Sequence, residues 1–300
     1  MLDKKYVTFY ARSSRVSLEV AERDIVLTYV LKVLSDDILQ KLAFKGGTCL
    51  KKMHFGSTGR FSEDLDFSSQ SISLDDLQSD LKKLLDKRSY FGIEFKISEE
   101  NVRKGAEACE QSYIAVISYS HAWNTAKFMF EVSFREKPLL PLDALPLLDE
   151  MYFKYTEFPR FPVGCLQKEE LLAEKLRAAY QRFRPRDLYD LYLFADRHFD
   201  KYRVQKLAVI KCWSVREPFR PKDLFNNISG IKYDWNDLER LVRRGDLPSQ
   251  ESVIGKVLKS YSFLEEMDST LIRIIDDSKA HKEKKLVAAV LETLRSDSNG

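Results

Sequence analysis

The hydrophobic pattern of this 300-residue chain changes character near residue 160, and no other feature limits its fold as much. Before that point, short runs alternate apolar and polar residues, most clearly Lys127-Phe128-Met129-Phe130-Glu131-Val132-Ser133-Phe134-Arg135. After Pro162 the alternation almost vanishes, and apolar residues recur at the three-to-four spacing of helices. One pattern places side chains on two faces of a strand, the other on one stripe of a helix. The expected class is therefore α+β: an N-terminal mixed sheet flanked by helices over residues 1–160, followed by an all-helical domain over 161–300. Three hundred residues suffice for two modest hydrophobic cores.

Within the first half the spacing predicts helices at 17–36, 48–55 and 73–88. Strands are expected at 42–44, 64–68, 92–97, 112–118 and 127–135, with a further short one at 151–155. Three prolines between Pro138 and Pro146 mark a connector. The second half reads as helices near 168–183, 186–198, 201–213, 221–229, 235–244, 250–276 and 283–295. The Ser-Asp-Ser-Asn-Gly end reads as a disordered tail.

Composition excludes some classes. Hydrophobic residues are 44% and charged residues 32%, and no apolar stretch approaches the roughly 18 residues that span a bilayer. The N-terminus lacks the apolar run of a signal peptide, so no membrane partner and a cytoplasmic location are expected. Cys49, Cys109, Cys165 and Cys212 form no CxxC pair, which points to reduced thiols without a metal. His54, His121, His198 and His281 show no metal-site spacing and read as structural or surface residues. The net charge of +3 permits a polyanionic partner without requiring one. Arg182, Arg184 and Arg186, and the pair Arg243-Arg244, suit either an RNA backbone or a solvated face.

Three segments carry chemistry. In Ser62-Glu63-Asp64-Leu65-Asp66-Phe67 a strand puts Asp64 and Asp66 on one face and turns Leu65 and Phe67 inward. Two adjacent carboxylates repel unless a cation lies between them, and Mg²⁺ takes oxygen ligands while leaving room for phosphate. A solvated sheet edge is the plain alternative. Gly46-Gly47-Thr48, between a strand and a helix, lets backbone N–H groups approach phosphate without a side chain in the way. Arg60 and Ser62 precede the acids and suit phosphate as well, although Ser62 also suits a turn cap. Glu131, the one acid of its strand, is either a third ligand or general base, or the ion-pair partner of Arg135. In the helical half, Lys175 falls inside an apolar stripe of Leu171, Leu172, Leu176 and Ala179, and Asp187 is its expected partner. That pair is either a buried salt bridge or a lysine held toward nucleotide phosphate.

Lys45-Gly46-Gly47-Thr48-Cys49-Leu50, followed by Arg60-Phe61-Ser62-Glu63-Asp64-Leu65-Asp66-Phe67, resembles the first motif of the AbiEii/AbiGii toxin nucleotidyltransferases. That family includes MenT-like toxins and is related to DNA polymerase beta-like enzymes. Glu169-Glu170-Leu171-Leu172-Ala173-Glu174-Lys175-Leu176 and Arg186-Asp187-Leu188-Tyr189-Asp190-Leu191 resemble its later helical motifs. The resemblance covers roughly residues 40 to 195 and places Lys45, Gly46, Gly47, Thr48, Ser62, Asp64, Asp66, Lys175 and Asp187 on functional positions, with Glu131 as the strand acid. Gly-Gly-Thr here replaces the Gly-Ser of the wider superfamily. The resemblance implies a toxin–antitoxin or abortive-infection toxin that uses an NTP with Mg²⁺ or Mn²⁺. It also implies the tRNA 3′ end as acceptor and a cognate antitoxin as partner. The rival readings are transfer to a protein or small molecule, and a nucleotide-binding regulator that transfers nothing.

Overall fold

The computed structural model describes residues 2–105 and 111–296. Cys109 and the end of the tail lie outside them. The chain divides into two compact units. The first comprises Met1–Pro138, Leu142–Leu166 and Arg240–Gly245; the second comprises Leu139–Pro141, Gln167–Glu239 and Asp246–Gly300.

The first unit opens with helices α1 (Lys4–Ser13) and α2 (Leu18–Ser35), capped by Asp3 and Ser17 respectively. In each cap a side-chain oxygen accepts a backbone N–H that the first helical turn leaves without a partner. Strand β1 (Leu42–Lys45) then runs into α3 (Gly46–Cys49), which widens into a π-helical segment over Leu50–Phe55. Next come β2 (Leu65–Ser69), α4 (Leu74–Leu85), β3 (Arg88–Tyr90), β4 (Ile93–Lys104), β5 (Gln111–His121), β6 (Asn124–Ser133), β7 (Asp143–Pro146) and β8 (Pro162–Cys165).

These strands form one eight-stranded sheet in the order β3-β4-β5-β6-β2-β1-β8-β7. It is mixed: β2 runs parallel to β6 and β1 parallel to β8, and the other pairs are antiparallel. Alternation sorts its central strands. Phe44, Phe67 and Phe130 make tilted ring contacts in series across β1, β2 and β6, with centroids 5.2 Å apart at each step. Such contacts contribute about 0.5–1.5 kcal/mol each beyond burial. The residues that alternate with them, Lys45, Asp66 and Glu131, share the opposite face and are half-buried.

Four expectations need correction. The helix expected at 250–276 is interrupted after Ser260, where Ser262–Glu265 forms a 3₁₀ turn before a new helix starts at Ser269. Residues 151–155 are no strand: Met151–Lys154 is a 3₁₀ turn, because Phe153 and Tyr155 donate to carbonyls three residues back while Tyr152 turns into the core. The connector from Pro138 ends in β7, an edge strand where Pro146 is tolerated. The helix expected at 235–244 stops at Glu239, since the next residues give their backbone to the first unit. Leu241 O accepts from Phe61 N–H, and Arg244 N–H donates to Arg15 O.

The second unit is all helical: α5 (Lys168–Gln181), α6 (Pro185–Phe194), α7 (Lys201–Ser214), α8 (Pro221–Gly230), α9 (Asn236–Glu239), α10 (Gln250–Ser260), α11 (Ser269–Asp276) and α12 (Lys284–Ser296). Helix α5 packs on both α6 and α7. Among the described residues, no helix is long and apolar enough to cross a membrane.

Candidate active site

Gly46 has φ +77°, in the left-handed region that residues with a Cβ rarely adopt. A Cβ there would collide with the Asp66 carboxylate and lie 2.8 Å from both Asp66 Cβ and Cγ. At Gly47 a Cβ would come within 2.7 Å of Arg60 Nη2 and 2.9 Å of Ser62 Oγ. The two glycines are therefore the wall against which Asp66, Arg60 and Ser62 rest. Local sequence explains the turn: β1 must hand its chain directly to a helix, and only glycine does so at this φ with a carboxylate alongside.

Sheet register assembles the acids. Lys45 lies opposite Asp66 in β1–β2, and Asp66 lies opposite Glu131 in β2–β6. Asp64, two residues before Asp66, accepts through Oδ1 from Met129 N–H at 3.3 Å. Asp66 and Glu131 thus lie side by side where β2 meets β6, and Asp64 reaches the β6 backbone next to them. Carboxylate oxygens are hard donors of the kind that suit Mg²⁺ or Mn²⁺. The Thr48 hydroxyl donates to the Asp64 carbonyl at 2.5 Å, which ties the helix start to the start of β2. Thr48 is buried, so this bond replaces the solvent contact that its hydroxyl lost.

The loop carrying Arg60 and Ser62 is clasped from two sides. Glu63 accepts from Arg23 at 2.6 Å and from Arg240 at 2.9 Å. Arg60 is buried and donates to the Phe61 carbonyl at 3.2 Å. Sequence reasoning passed over Glu63, since its partners lie 40 and 177 residues away.

Beneath the helix that follows the glycines lies a network that was also not foreseen. Lys52 Nζ contacts Asp24 Oδ1 and Thr28 Oγ1, each at 2.8 Å, and Lys51 Nζ contacts Glu150 at 2.9 Å. Tyr10 donates to the second Asp24 oxygen at 2.8 Å. Burial alone would raise the Asp24 carboxyl, but the charges of Lys52 and Lys51, with hydrogen bonds from Lys52 and Tyr10, hold it below the ordinary range. Burial lowers Lys52 despite the attraction of Asp24. Burial also raises Tyr10 and Tyr152 well above the ordinary phenol, and Asp24 reinforces this for both. The available signal was two consecutive lysines in the apolar run Cys49-Leu50-Lys51-Lys52-Met53. On the same helix Cys49 lies close to Cys165 of β8. The Cys165 thiol is drawn down to about 6, first by its hydrogen bond with Cys49 and then by His54, against the cost of burial.

In the second unit Lys175 meets Asp187 at 3.3 Å, as the spacing suggested, and meets Asp190 more closely at 2.7 Å. Arg182 also reaches Asp187, with Nε at 2.9 Å from Oδ2. Both aspartates are buried. Nearby, Arg186 grips Asp237 with two bonds of 2.8 Å.

Residues 30–238 match the family described as the nucleotidyl transferase AbiEii toxin of type IV toxin–antitoxin systems. Among solved structures the chain is similar to MenT4, a nucleotidyltransferase toxin from Mycobacterium tuberculosis H37Rv. The identity is 25%, the match covers 98% of this chain and 100% of that one, and the TM-score is 0.82. It shares its fold with JHP933 from Helicobacter pylori, at 17% identity and a TM-score of 0.50, covering 88% of this chain and 98% of that one. A candidate nucleotidyltransferase from H. pylori is similar to the same degree: 17% identity, a TM-score of 0.51, 84% of this chain and 96% of that one. No curated protein sequence matches the chain.

Proposed function

The chain belongs to the nucleotidyl transferase AbiEii toxins of type IV toxin–antitoxin systems, and from that premise we propose that it transfers a nucleoside monophosphate from an NTP to the 3′ end of a tRNA. The observation that carries this reading is the glycine wall. Gly46 leaves no room for a side chain beside the Asp66 carboxylate, and Glu131 stands next to Asp66 in register. The acid therefore packs directly against the backbone at the helix start, where a triphosphate would meet both.

Asp64, Asp66 and Glu131 would hold Mg²⁺ or Mn²⁺. A bound divalent ion supplies charge neutralisation for phosphate oxygens and for the departing pyrophosphate. The start of the helix at Gly46, Gly47 and Thr48 receives phosphate through backbone N–H groups that have no acceptor within the helix. Arg60 and Ser62, resting on Gly47, and Lys45, beside Asp66, neutralise and orient the same phosphates. The acceptor hydroxyl forms a bond to the α-phosphorus as the α–β bridging oxygen leaves with pyrophosphate. Its proton passes to a carboxylate, for which Glu131 is the acid beside Asp66. Fixed positioning and fixed charge supply most of the acceleration. The family resemblance gives Lys175 and Asp187 a part in the same reaction. It also gives the tRNA acceptor and a cognate antitoxin that counters the activity in the cytoplasm.

The test is sequencing of the 3′ ends of cellular RNA after expression, beside an Asp64→Ala control. Added nucleotides on tRNA with the wild type alone support the reading. Unchanged tRNA ends with a folded wild type overturn the acceptor. Equal extension by the folded variant overturns the site.

A further inference from the structure

Cys49, His54 and Cys165 bring two thiols and an imidazole together at one point in the first unit, and nothing in nucleotidyl transfer uses them. Their donor atoms all lie within 4.8 Å of one another. Cys49 and Cys165 are fully buried. His54 Nε2 is buried without a hydrogen-bond partner among the described residues. A buried imidazole nitrogen without a partner is unfavourable unless something occupies it.

The unusual helix creates this meeting. Five residues separate Cys49 from His54, which at about 100° per residue puts them some 140° apart on an ordinary α-helix. A π turn closes its hydrogen bond over five residues, so residue i stacks near i+5. The π-helical segment Leu50–Phe55 follows Cys49 directly and contains His54. The third group comes from the sheet: β8 lies parallel to β1 with Cys165 opposite Phe44, three residues before Gly47. The widening of the helix, which has no role in presenting glycines to phosphate, has the consequence of collecting these donors.

We propose that Cys49, His54 and Cys165 form a site for a borderline-soft transition metal, Zn²⁺ by preference. Thiolate and imidazole are the ligands that zinc selects over Mg²⁺. Zinc–ligand bonds of about 2.0–2.3 Å place tetrahedral donors roughly 3.6–3.8 Å apart. Small side-chain rotations therefore close the present triangle around an ion. Binding displaces the protons of two thiols and takes one imidazole nitrogen of His54 as the third donor. The ion would tie the phosphate-binding helix to β8 from beneath, at Cys49, two residues past Gly47. The assignment does not depend on the proposed acceptor or on transfer itself.

The test titrates Co²⁺, then Zn²⁺, into the full-length, chelator-treated, reduced chain carrying Asp64→Ala and Asp66→Ala, so that the carboxylate site does not contribute. The expected result is one equivalent of Co²⁺ with a near-ultraviolet thiolate-to-cobalt band, lost on adding one equivalent of Zn²⁺. The melting temperature should rise on binding. His54→Gln should weaken binding at least about tenfold, and Cys165→Ser should remove most of the band. No thiolate band in the parent protein overturns the proposal. So does an undiminished band in folded Cys165→Ser. If Cys165→Ser fails to fold, the half-exposed His54→Gln decides: unchanged affinity and band energy overturn the site. A Cys49–Cys165 disulfide that forms in air despite saturating Zn²⁺ also overturns it.

Discussion

The cradle at Gly46 and the cluster at Lys175 use the same residue types to opposite ends. In the cradle the neighbour of a carboxylate is a glycine whose missing side chain lets Asp66 lie directly against the backbone. Between α5 and α6 the neighbours of two buried carboxylates are Lys175 and Arg182, whose side chains fill the space and meet the charge. One acid packs against backbone at a strained helix start; the others pack against side-chain cations between two helices. The first arrangement carries backbone strain, and the second is a joint of buried charges that must stay paired.

The comparison breaks most sharply under matched substitutions. Asp66→Asn should reduce nucleotide transfer by about 10²–10³-fold or more, with little change in melting temperature. Lys175→Met should do the reverse on stability. It removes the ammonium that meets both buried aspartates, at a cost of about 3–5 kcal/mol in denaturant unfolding. If Lys175→Met keeps full stability, the cluster is not a joint and the contrast fails. Gly46→Ala should cost about 1–3 kcal/mol from the left-handed φ alone, and transfer should fall because the new Cβ displaces Asp66. A stable, active Gly46→Ala would remove the wall from the account.

A weaker effect follows from Asp24. Its pKa is depressed in the fold, so the stability it contributes is present above its unfolded value of about 3.9. That contribution is lost as pH falls through the depressed folded value. The unfolded chain binds the extra proton in this window, so stability should rise with pH there. Lys52, also depressed, gives the same sign at alkaline pH. Asp24→Asn should flatten the acid limb of a stability-against-pH curve, and an unchanged limb would show that other carboxylates govern it.

What the sequence made legible follows the range of the forces involved. Alternation in β2 and β6 is a period-two property of a few residues, so the place of Asp66 and of Glu131 beside it could be read directly. The glycine turn is equally local. Lys175 and Asp187 were readable because two successive helices pack, yet Asp190, three residues further along the same face, escaped notice. Features that depend on distant chain did not show. Nothing near Glu63 announces Arg240, and nothing near Arg240 announces that residues 240–245 leave the helical unit. The meeting of Cys49, His54 and Cys165 requires both a π turn and a parallel strand pairing. On ordinary α-helical spacing the cysteines read as scattered thiols and His54 as an isolated ring. Tyr152 shows the same limit, since a strand-like run became a turn once its hydroxyl found Thr28, 124 residues away.

The most direct measurement is incorporation of label from α-labelled NTPs into total tRNA with Mg²⁺, comparing wild type with Asp64→Ala and Asp66→Ala at matched folded fractions. The account predicts labelled tRNA with the wild type and none above background with either variant. Undiminished labelling by both folded variants would contradict it.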